Sequence, residues 1–240
     1  MKKLGITFAT ILLIASTTLA QNFKIPLIGS KAPSFIAETT NGTLNFPDDY
    51  GKKWKILLSH PQDFTPVCSS ELSELAFLQD EFKKLNTQIA VISADNVTEH
   101  NRWKKWLESL DYKGRGEMKI EFPLIDDHTH VISKQYGMVH ELVSTNKDIR
   151  GVYIIDPENV VRSINFYPMQ VGRNMKEIER ILVALQTADR DMVCTPANWQ
   201  MGEDVIVPHY PYTDSELAAN PDLKNKFYNV GGYMWFKRAK

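Results

Sequence analysis

The stretch SHPQDFTPVCSSEL, residues 59–72, joins a short apolar run to the start of a helical pattern. The run before it, WKILLSH (54–60), is typical of a buried strand. Leucines recur at helical spacing from Leu72 onward, so the sequence predicts that Cys68 lies in or just before the first helical turn. Free backbone N–H groups and the positive end of the helix dipole stabilise a thiolate at that position. Pro66 fits the first turn, where its missing N–H is not needed.

Other apolar runs extend this pattern into an α/β domain. A second set of apolar residues at helical spacing runs from Met175 to Leu185, and the turn DPEN (156–159) joins two strands as a hairpin. Three further strands are predicted at QIAVISA (88–94), GVYIID (151–156) and VVRSINFY (160–167). Strands that alternate with helices predict a central mixed sheet flanked by helices, over residues 22–190.

Composition limits the class of protein. The chain has 240 residues, of which 43% are hydrophobic and 24% are charged, and its formal net charge is -1. This length is enough for one well-buried domain and an appendage. Because phosphate binding needs a concentrated cationic face, the near-neutral charge argues against nucleic acid as a partner.

The N-terminus has the features of a secretory signal. Lys2 and Lys3 precede an apolar run from Leu4 to Ala15, and small residues precede a cleavage position before Gln21. A membrane anchor is the alternative, but an apolar run of about 12 residues is too short for a span of about 20. We therefore expect residues 1–20 to be removed and the chain to be periplasmic or secreted, without stable membrane anchoring.

The periodic pattern stops near residue 190. Residues 191–240 are rich in Pro and Asn, and they hold too little apolar sequence for an independent domain. We expect this C-terminal extension to lie over its own domain or over a partner subunit of a dimer, with the partner favoured.

The residues around Cys68 match a known active-site motif. The string Pro61-x-x-x-Thr65-x-x-Cys68 resembles the signature of the peroxiredoxins, the AhpC/TSA family. The similarity continues through RGVYIIDPENVVRSINFYPMQVGRNMKEIERIL (150–182) and VCTPANWQMGEDVIVP (193–208). His60 before the proline and the long C-terminal arm are most similar to the one-cysteine branch of that family.

The resemblance implies a thioredoxin-like fold and an enzyme. Cys68 would be the peroxidatic cysteine, and Thr65 would hydrogen-bond both the peroxide and the sulfur. Pro61 would shield the pocket, and Arg150 would activate the thiolate and the peroxide. Such a site supplies an attacking sulfur anion with positive charge and donors for the leaving oxygen, and it requires no metal or cofactor.

The implied reaction is the reduction of hydrogen peroxide and small organic hydroperoxides through a sulfenic acid on Cys68. A thiol reductant, either a thioredoxin-like protein or a small thiol, would then restore the thiol. The resemblance also implies a homodimer or a larger homo-oligomer, and it places Glu71 and Arg173 at the outer part of the site. We expect His60 to have an auxiliary role, either as an imidazolium that favours the thiolate or as a packing residue.

Cys194 departs from the one-cysteine pattern. It lies in VCTPANW, close to the position where two-cysteine peroxiredoxins carry a resolving cysteine. We expect it to resolve Cys68 across a dimer. An inert thiol and a static disulfide with Cys68 are the alternatives.

Two histidines, His128 and His130, form an HxH pair beside two aspartates. A metal site is one interpretation, but a helix start capped by Asp126 or Asp127 explains the carboxylates without a metal. His100, near two tryptophans on a predicted helix, is expected to be a surface or packing residue.

Three other functions are alternatives to a peroxidase. A catalytically inactive thioredoxin-fold binding or chaperone-like protein has no need for the set of Thr65, Cys68 and Arg150. Disulfide oxidoreductases use C-x-x-C, whereas Glu71 stands at the second cysteine position here. The lipase-like G-x-S-x-G of some one-cysteine relatives corresponds to GKKWK (51–55), which lacks the serine, so we expect no phospholipase activity by that route.

Overall fold

The computed structural model describes residues 25–208 and 212–239. The predicted signal segment at 1–20 and the predicted domain start at residue 22 lie outside the described residues. A seven-stranded sheet forms the centre of the domain, and its strands are β1 (Phe35–Thr39), β2 (Gly42–Phe46), β3 (Trp54–Ser59), β4 (Thr87–Ser93), β5 (Leu124–Asp126), β6 (Arg150–Ile155) and β7 (Val161–Tyr167).

The sheet is mixed, as predicted. Its strand order is β2-β1-β5-β4-β3-β6-β7. The β3, β4 and β5 strands are parallel to their neighbours within this group, whereas β6 and β7 form an antiparallel hairpin beside β3. The four strands predicted from apolar runs are confirmed to within one residue at each end, and the hairpin turn at 156–159 is confirmed.

Helices cover both faces of the sheet. They are α1 (Pro66–Lys84), α2 (Val97–Glu108), α3 (Val131–Gln135) and α4 (Met175–Asp191), with short 3-10 turns at Asp48–Tyr50 and Tyr112–Gly114. In the central strand β3, Ile56 and Leu58 pack into one core, which includes residues of α1, α2 and α4, while Leu57 packs into a second core on the opposite face. Because both faces are covered, all six residues of β3 are buried, which explains why four of them are apolar.

The topology places two distant parts of the chain at one edge of the sheet. In the antiparallel pairing of β3 with β6, Leu58 lies opposite Val152. The end of β3 therefore lies beside the start of β6, where Arg150 is the first residue. Since α1 follows β3 after a short loop, Cys68 and Arg150 meet although 82 positions separate them.

The C-terminal extension is more ordered than its sequence indicated. It contains β8 (Val205–Ile206), α5 (Asp214–Ala219), α6 (Pro221–Lys226), β9 (Phe227–Val230) and β10 (Met234–Lys237). The three strands form a second sheet in the order β8-β10-β9. Val193, Trp199 and Val205 form a small buried cluster with Val183 of α4, so this part of the extension packs on its own domain. The alternative in which the extension lies over its own domain thus applies to the segment around residues 193–205, and contact of the extension with a partner subunit stays a prediction.

Within the described ranges, the structure has no helix with the length and apolarity of a membrane span.

Candidate active site

The start of α1 determines the position of Cys68. Thr65 has an extended backbone and precedes the helix, Pro66 is its first residue, and Cys68 is its third. The backbone N–H of Cys68 therefore belongs to the first turn, where N–H groups lack intrahelical acceptors and the helix dipole is positive. The side chain of Cys68 is fully buried. As predicted, the fold places Cys68 in the first turn of a helix, and the structure adds that its side chain is buried.

A guanidinium contacts this sulfur. Arg150 Nη1 lies 3.3 Å from Cys68 Sγ and 2.7 Å from Glu71 Oε2. The Nε and Nη2 groups of Arg150 both donate to the carbonyl oxygen of Met169, at 2.9 and 2.6 Å. All three nitrogens of the Arg150 guanidinium thus donate to an acceptor, and these bonds hold the guanidinium plane against Cys68.

Glu71 joins the two arginines of the site. Its Oε1 accepts from the backbone N–H and Nε of Arg173, and its Oε2 accepts from Nη2 of Arg173 and Nη1 of Arg150. Burial acts to raise the pKa of Glu71, but the charge and hydrogen bonds of Arg173, with the charge of Arg150, hold that pKa below its ordinary value. Glu71 is therefore an anion that orients both guanidinium groups.

The charges of this cluster balance when Cys68 is a thiolate. Two guanidiniums face one carboxylate, and all four side chains are less than a tenth exposed. An uncompensated charge is costly in a buried site, and this cluster holds one guanidinium more than its carboxylate balances. Cys68, Glu71, Arg150 and Arg173 are the predicted residues that the structure brings into direct contact.

Thr65 and Pro61 lie on the loop between β3 and α1. Pro61 is buried. The Thr65 hydroxyl donates to the carbonyl oxygen of Gln62 at 2.9 Å and has no hydrogen bond to Cys68. The expected bond between Thr65 and the sulfur is therefore absent among the described contacts. The hydroxyl oxygen keeps its lone pairs free to accept a hydrogen bond from a substrate.

His60 is buried without a hydrogen bond. Its Nε2 lies 3.5 Å from Asp63 Oδ1, and neither ring nitrogen has a hydrogen-bond partner among the described residues. Burial, only partly offset by the charge of Asp63, lowers the pKa of His60 to about 4. A ring with that pKa is neutral near pH 7, which favours the packing alternative for His60 over the imidazolium. Its ring packs against Trp103, with centroids 5.0 Å apart.

A second histidine anchors the catalytic loop. His100 on α2 is fully buried, and its nitrogens contact Asp63 Oδ2 at 2.8 Å and the carbonyl oxygen of Ile125 at 3.0 Å. Both partners are acceptors, so both ring nitrogens carry hydrogen. Burial acts to lower the pKa of His100, but the hydrogen bonds and the charge of Asp63 outweigh it and raise that pKa. Asp95 holds the same loop by accepting from the backbone N–H of Asp63 at 2.8 Å.

The sequence-based interpretation missed these loop anchors. Asp63 lies inside the motif itself, but its partners on α2 and after β4 are separated from it by 37 and 32 positions. The carbonyl oxygen of Met169, which accepts from Arg150, could not be identified from the sequence, because every residue has a backbone carbonyl. His100 was expected to be a surface or packing residue, whereas it forms a buried ion pair with Asp63.

Cys194 is an exposed thiol at the base of the extension. Its backbone pairs with Ile206 in both directions, at 2.8 and 2.7 Å. Both cysteines are free thiols in the structure. The fold thus gives Cys68 a buried position and Cys194 an accessible one.

The HxH pair is explained by local structure. Asp127 accepts from the backbone N–H groups of Ile132 and Ser133 in the first turn of α3, which confirms a carboxylate cap. His128 contacts Asp126 at 2.6 Å. Within residues 25–208 and 212–239, no group of three or more His, Cys, Asp or Glu side chains is arranged to hold a metal ion.

Comparisons with known proteins agree with this site. The model of the AhpC/TSA family matches residues 28–164, and that of the C-terminal domain of 1-Cys peroxiredoxin matches residues 184–219. The chain belongs to the peroxiredoxin family. A peroxiredoxin of Methanosarcina mazei is 51% identical over 77% of this chain and 84% of its own length. A peroxiredoxin of Thermotoga petrophila is 43% identical over 89% of this chain and 96% of its own length.

Solved peroxiredoxin structures share the whole fold. A yeast mitochondrial 1-Cys peroxiredoxin is 36% identical, with a TM-score of 0.77 over 90% of this chain and 100% of its own. Peroxiredoxin 6 of Arenicola marina, solved as a cysteine-to-serine mutant, is 31% identical, with a TM-score of 0.77 over 89% of this chain and 98% of its own. The predicted thioredoxin-like fold with a C-terminal extension is thereby confirmed. As a peroxiredoxin, the protein is a thiol-dependent peroxidase.

Proposed function

We propose that this peroxiredoxin reduces hydrogen peroxide and small organic hydroperoxides at Cys68. The thiolate sulfur attacks one peroxide oxygen, an S–O bond forms and the O–O bond breaks. The other oxygen leaves as hydroxide or alkoxide and takes up a proton from solvent. Cys68 is oxidised by two electrons to a sulfenic acid, while hydrogen peroxide gives one water and an organic hydroperoxide gives the corresponding alcohol.

The contact of Arg150 with Cys68 Sγ at 3.3 Å carries this proposal. A fixed guanidinium beside the sulfur faces the region in which negative charge builds up on the leaving oxygen, and its own hydrogen bonds are already made before the reaction. Thr65 is proposed to accept a hydrogen bond from the peroxide through its free lone pairs. Pro61 is proposed to limit access of water to the sulfur.

Stopped-flow measurement of peroxide consumption tests this step. Reduced wild type and the Cys194→Ser variant should each consume one equivalent of peroxide rapidly, and Cys68→Ser should consume none at a comparable rate. Rapid consumption by Cys68→Ser would contradict the assignment of the attacking sulfur.

Cys194 is proposed to resolve the sulfenic acid. Its thiol would displace hydroxide from the Cys68 sulfur, giving a disulfide and water, and the exposed position of Cys194 in the extension supports such a role. After peroxide treatment, non-reducing electrophoresis should give a dimer-sized band that is lost in Cys194→Ser. A monomer-sized product in both proteins would show that Cys194 does not bond a partner subunit.

The reductant is proposed to be a thioredoxin-like protein or a small thiol. The yeast mitochondrial relative is described with thiol resolution via glutathione/thioredoxin systems, which supports these two classes. Sustained turnover with each reductant, followed as peroxide consumption beyond the first equivalent, distinguishes them. Turnover with neither would contradict this proposal.

A homodimer or larger homo-oligomer is proposed as the assembled form. The strand β7 is at one edge of the sheet. Val161 bonds there to Gly29 and Ser30, and the backbone groups of β7 beyond it are proposed to pair with a second chain, which residues 191–240 are proposed to contact as well. Sedimentation of the reduced protein should give at least twice the mass of the chain used, which is 27.5 kDa when all 240 residues are present. A monomer at micromolar concentration would contradict the assembly.

Export is proposed from the N-terminal sequence. When the full chain is produced in a Gram-negative host, the protein should be found in the periplasmic fraction with Gln21 as its first residue. A cytoplasmic product that keeps Met1 would exclude the signal assignment.

A further inference from the structure

Ser59, the last residue of β3, holds both peptide groups next to Arg150. Its hydroxyl donates to the carbonyl oxygen of Ile149 at 2.6 Å and accepts from the backbone N–H of Gly151 at 2.8 Å. The N–H of Gly151 also lies 3.2 Å from the Ile149 carbonyl oxygen, so the chain bends tightly at Arg150. The Ser59 side chain is fully buried, and its hydroxyl is bonded on both sides of this bend.

The strand pairing explains why a side chain is needed here. The ladder between β3 and β6 ends at the pair Leu58 and Val152, so the next residues are not joined as a strand pair. The hydroxyl of Ser59 provides the connection that the ladder no longer makes. Without it, the start of β6 is joined to β3 only by the strand pairs from Val152 onward and through Nη1 of Arg173, which donates to the carbonyl oxygens of Ser59 and Gly151.

Gly151 is matched to this hydroxyl. A Cβ on Gly151 would lie 3.0 Å from Ser59 Oγ and 3.2 Å from Met138 Cγ, which is closer than most real Cβ contacts. The missing side chain of Gly151 therefore gives the serine hydroxyl its place beside the backbone.

The same serine also contacts the second arginine. Arg173 Nη1 donates to the carbonyl oxygens of Ser59 and Gly151, at 2.9 and 2.8 Å. Ser59 thus fixes the backbone from which Arg150 projects and accepts a hydrogen bond from Arg173. Both guanidiniums in turn hold Glu71, and that of Arg150 also contacts Cys68.

We propose that Ser59 is a positioning residue of the peroxidase site, because its hydroxyl clamps the bend at Arg150 and so sets the distance from the guanidinium to the Cys68 sulfur. This inference rests on the proposed attack of Cys68 on peroxide. A displacement of about 1 Å in a reacting group can lower a rate by up to about a hundredfold, so we expect a loss of about tenfold when the clamp is removed.

A double-mutant cycle with Arg150 tests the proposal. Second-order rates of peroxide reaction are measured for wild type, Ser59→Ala, Arg150→Ala and the double variant. Ser59→Ala should be about tenfold slower than wild type but should change the rate less than about twofold in the Arg150→Ala background. An equal factor in both backgrounds, or no loss in the single variant, would overturn the proposal.

A conservative variant separates positioning from stability. Ser59→Thr keeps the hydroxyl but adds a methyl group in a fully buried place, so it should lower Tm and yet retain most of the wild-type rate. A rate as low as that of Ser59→Ala would contradict a role for the hydroxyl. Ser73→Ala is the matched control, because Ser73 is also fully buried and its hydroxyl donates only to the backbone carbonyl of Ser69, within α1.

Two further measurements keep the test decisive. If Ser59→Ala does not fold, Gly151→Ala, whose Cβ pushes against the same hydroxyl, should give the rate loss, and an unchanged rate would refute the clamp. Failure of the proposed function would be recognised by other results. In that case wild type would not react rapidly with peroxide, or wild type and Arg150→Ala would react at equal rates.

Discussion

Replacing Glu71 by glutamine tests whether the buried charge cluster holds the fold as well as the site. The substitution keeps the shape of the side chain but replaces one carboxylate oxygen with an NH2 group. Glu71 accepts four hydrogen bonds from Arg150 and Arg173. Glutamine retains a single acceptor oxygen, and its NH2 group faces N–H donors that it cannot satisfy.

The expected loss of stability is large because the site is buried. Removing one partner of a buried ion pair costs about 3–5 kcal/mol, since the other charge is left uncompensated. For a chain of this length each kcal/mol corresponds to a Tm change of roughly 2–4 °C, so Tm should fall by roughly 6–20 °C. Glu74→Gln on the same helix is the control. Glu74 pairs with Lys113 and Arg115 in a partly exposed position, where the loss should be about 0–1 kcal/mol.

Urea unfolding of the reduced proteins, followed by circular dichroism at pH 7, measures both losses. The pH dependence of the free energy of unfolding gives a second readout. The pKa of folded Glu71 is lowered from 4.5, so its contribution is present above pH 4.5 and is lost as pH falls through the lowered pKa. The stability gap between wild type and Glu71→Gln should therefore narrow below pH 4.5. Equal losses in Glu71→Gln and Glu74→Gln would refute the reasoning.

Three other predictions concern the arginine, the loop and its anchor. Arg150→Lys keeps the positive charge, but a single ammonium group cannot contact Cys68, Glu71 and Met169 together as the branched guanidinium does. The rate of reaction with peroxide, measured by stopped-flow, should therefore fall about a hundredfold. A rate near that of wild type would show that the charge alone suffices. Thr65→Val should lower the same rate by about tenfold while Thr65→Ser preserves it, because serine keeps the acceptor oxygen; equal rates for the two would exclude the hydroxyl. The pKa of folded His100 is raised above 6.5, so its contribution is full below pH 6.5 and is lost as pH rises through the raised pKa. The stability gap between wild type and His100→Gln in urea should thus shrink from pH 6 to pH 9, and a gap that widens would refute the ion pair with Asp63.

The sequence predicted the central elements because their patterns are strong. The β3, β4, β6 and β7 strands are short apolar runs with clear ends, and α1 and α4 show helical spacing over several turns. The β1 and β2 strands were not predicted because they alternate between exposed and buried residues at the edge of the sheet, where apolar runs are not required. The second sheet, in the extension, was missed for a different reason: its strands have no more than four residues, which is too short for a recognisable pattern.

The candidate site was predictable in its chemistry and less so in its geometry. The motif around Cys68 and the resemblance it carries indicated the thiol, Arg150 and Glu71 by residue number. The environment of His60 was not predictable, because its pKa depends on complete burial and on the charges of Asp63 and His100, which lie on different elements. Ser59 and the Met169 carbonyl escaped notice because common polar groups acquire a role only through the three-dimensional bend at Arg150.

Complete burial of the Cys68 sulfur admits small oxidants more readily than large thiols. A peroxide has only a few atoms, whereas a disulfide brings the Cα atoms of its two cysteines to within about 7 Å and needs a backbone that can approach. Under the proposed cycle, a protein thiol reaches the buried sulfenic acid only if the first turn of α1 opens. The lifetime of that acid is then governed by the frequency of this opening, and variants that stiffen the turn would expose the sulfur to a second, irreversible oxidation.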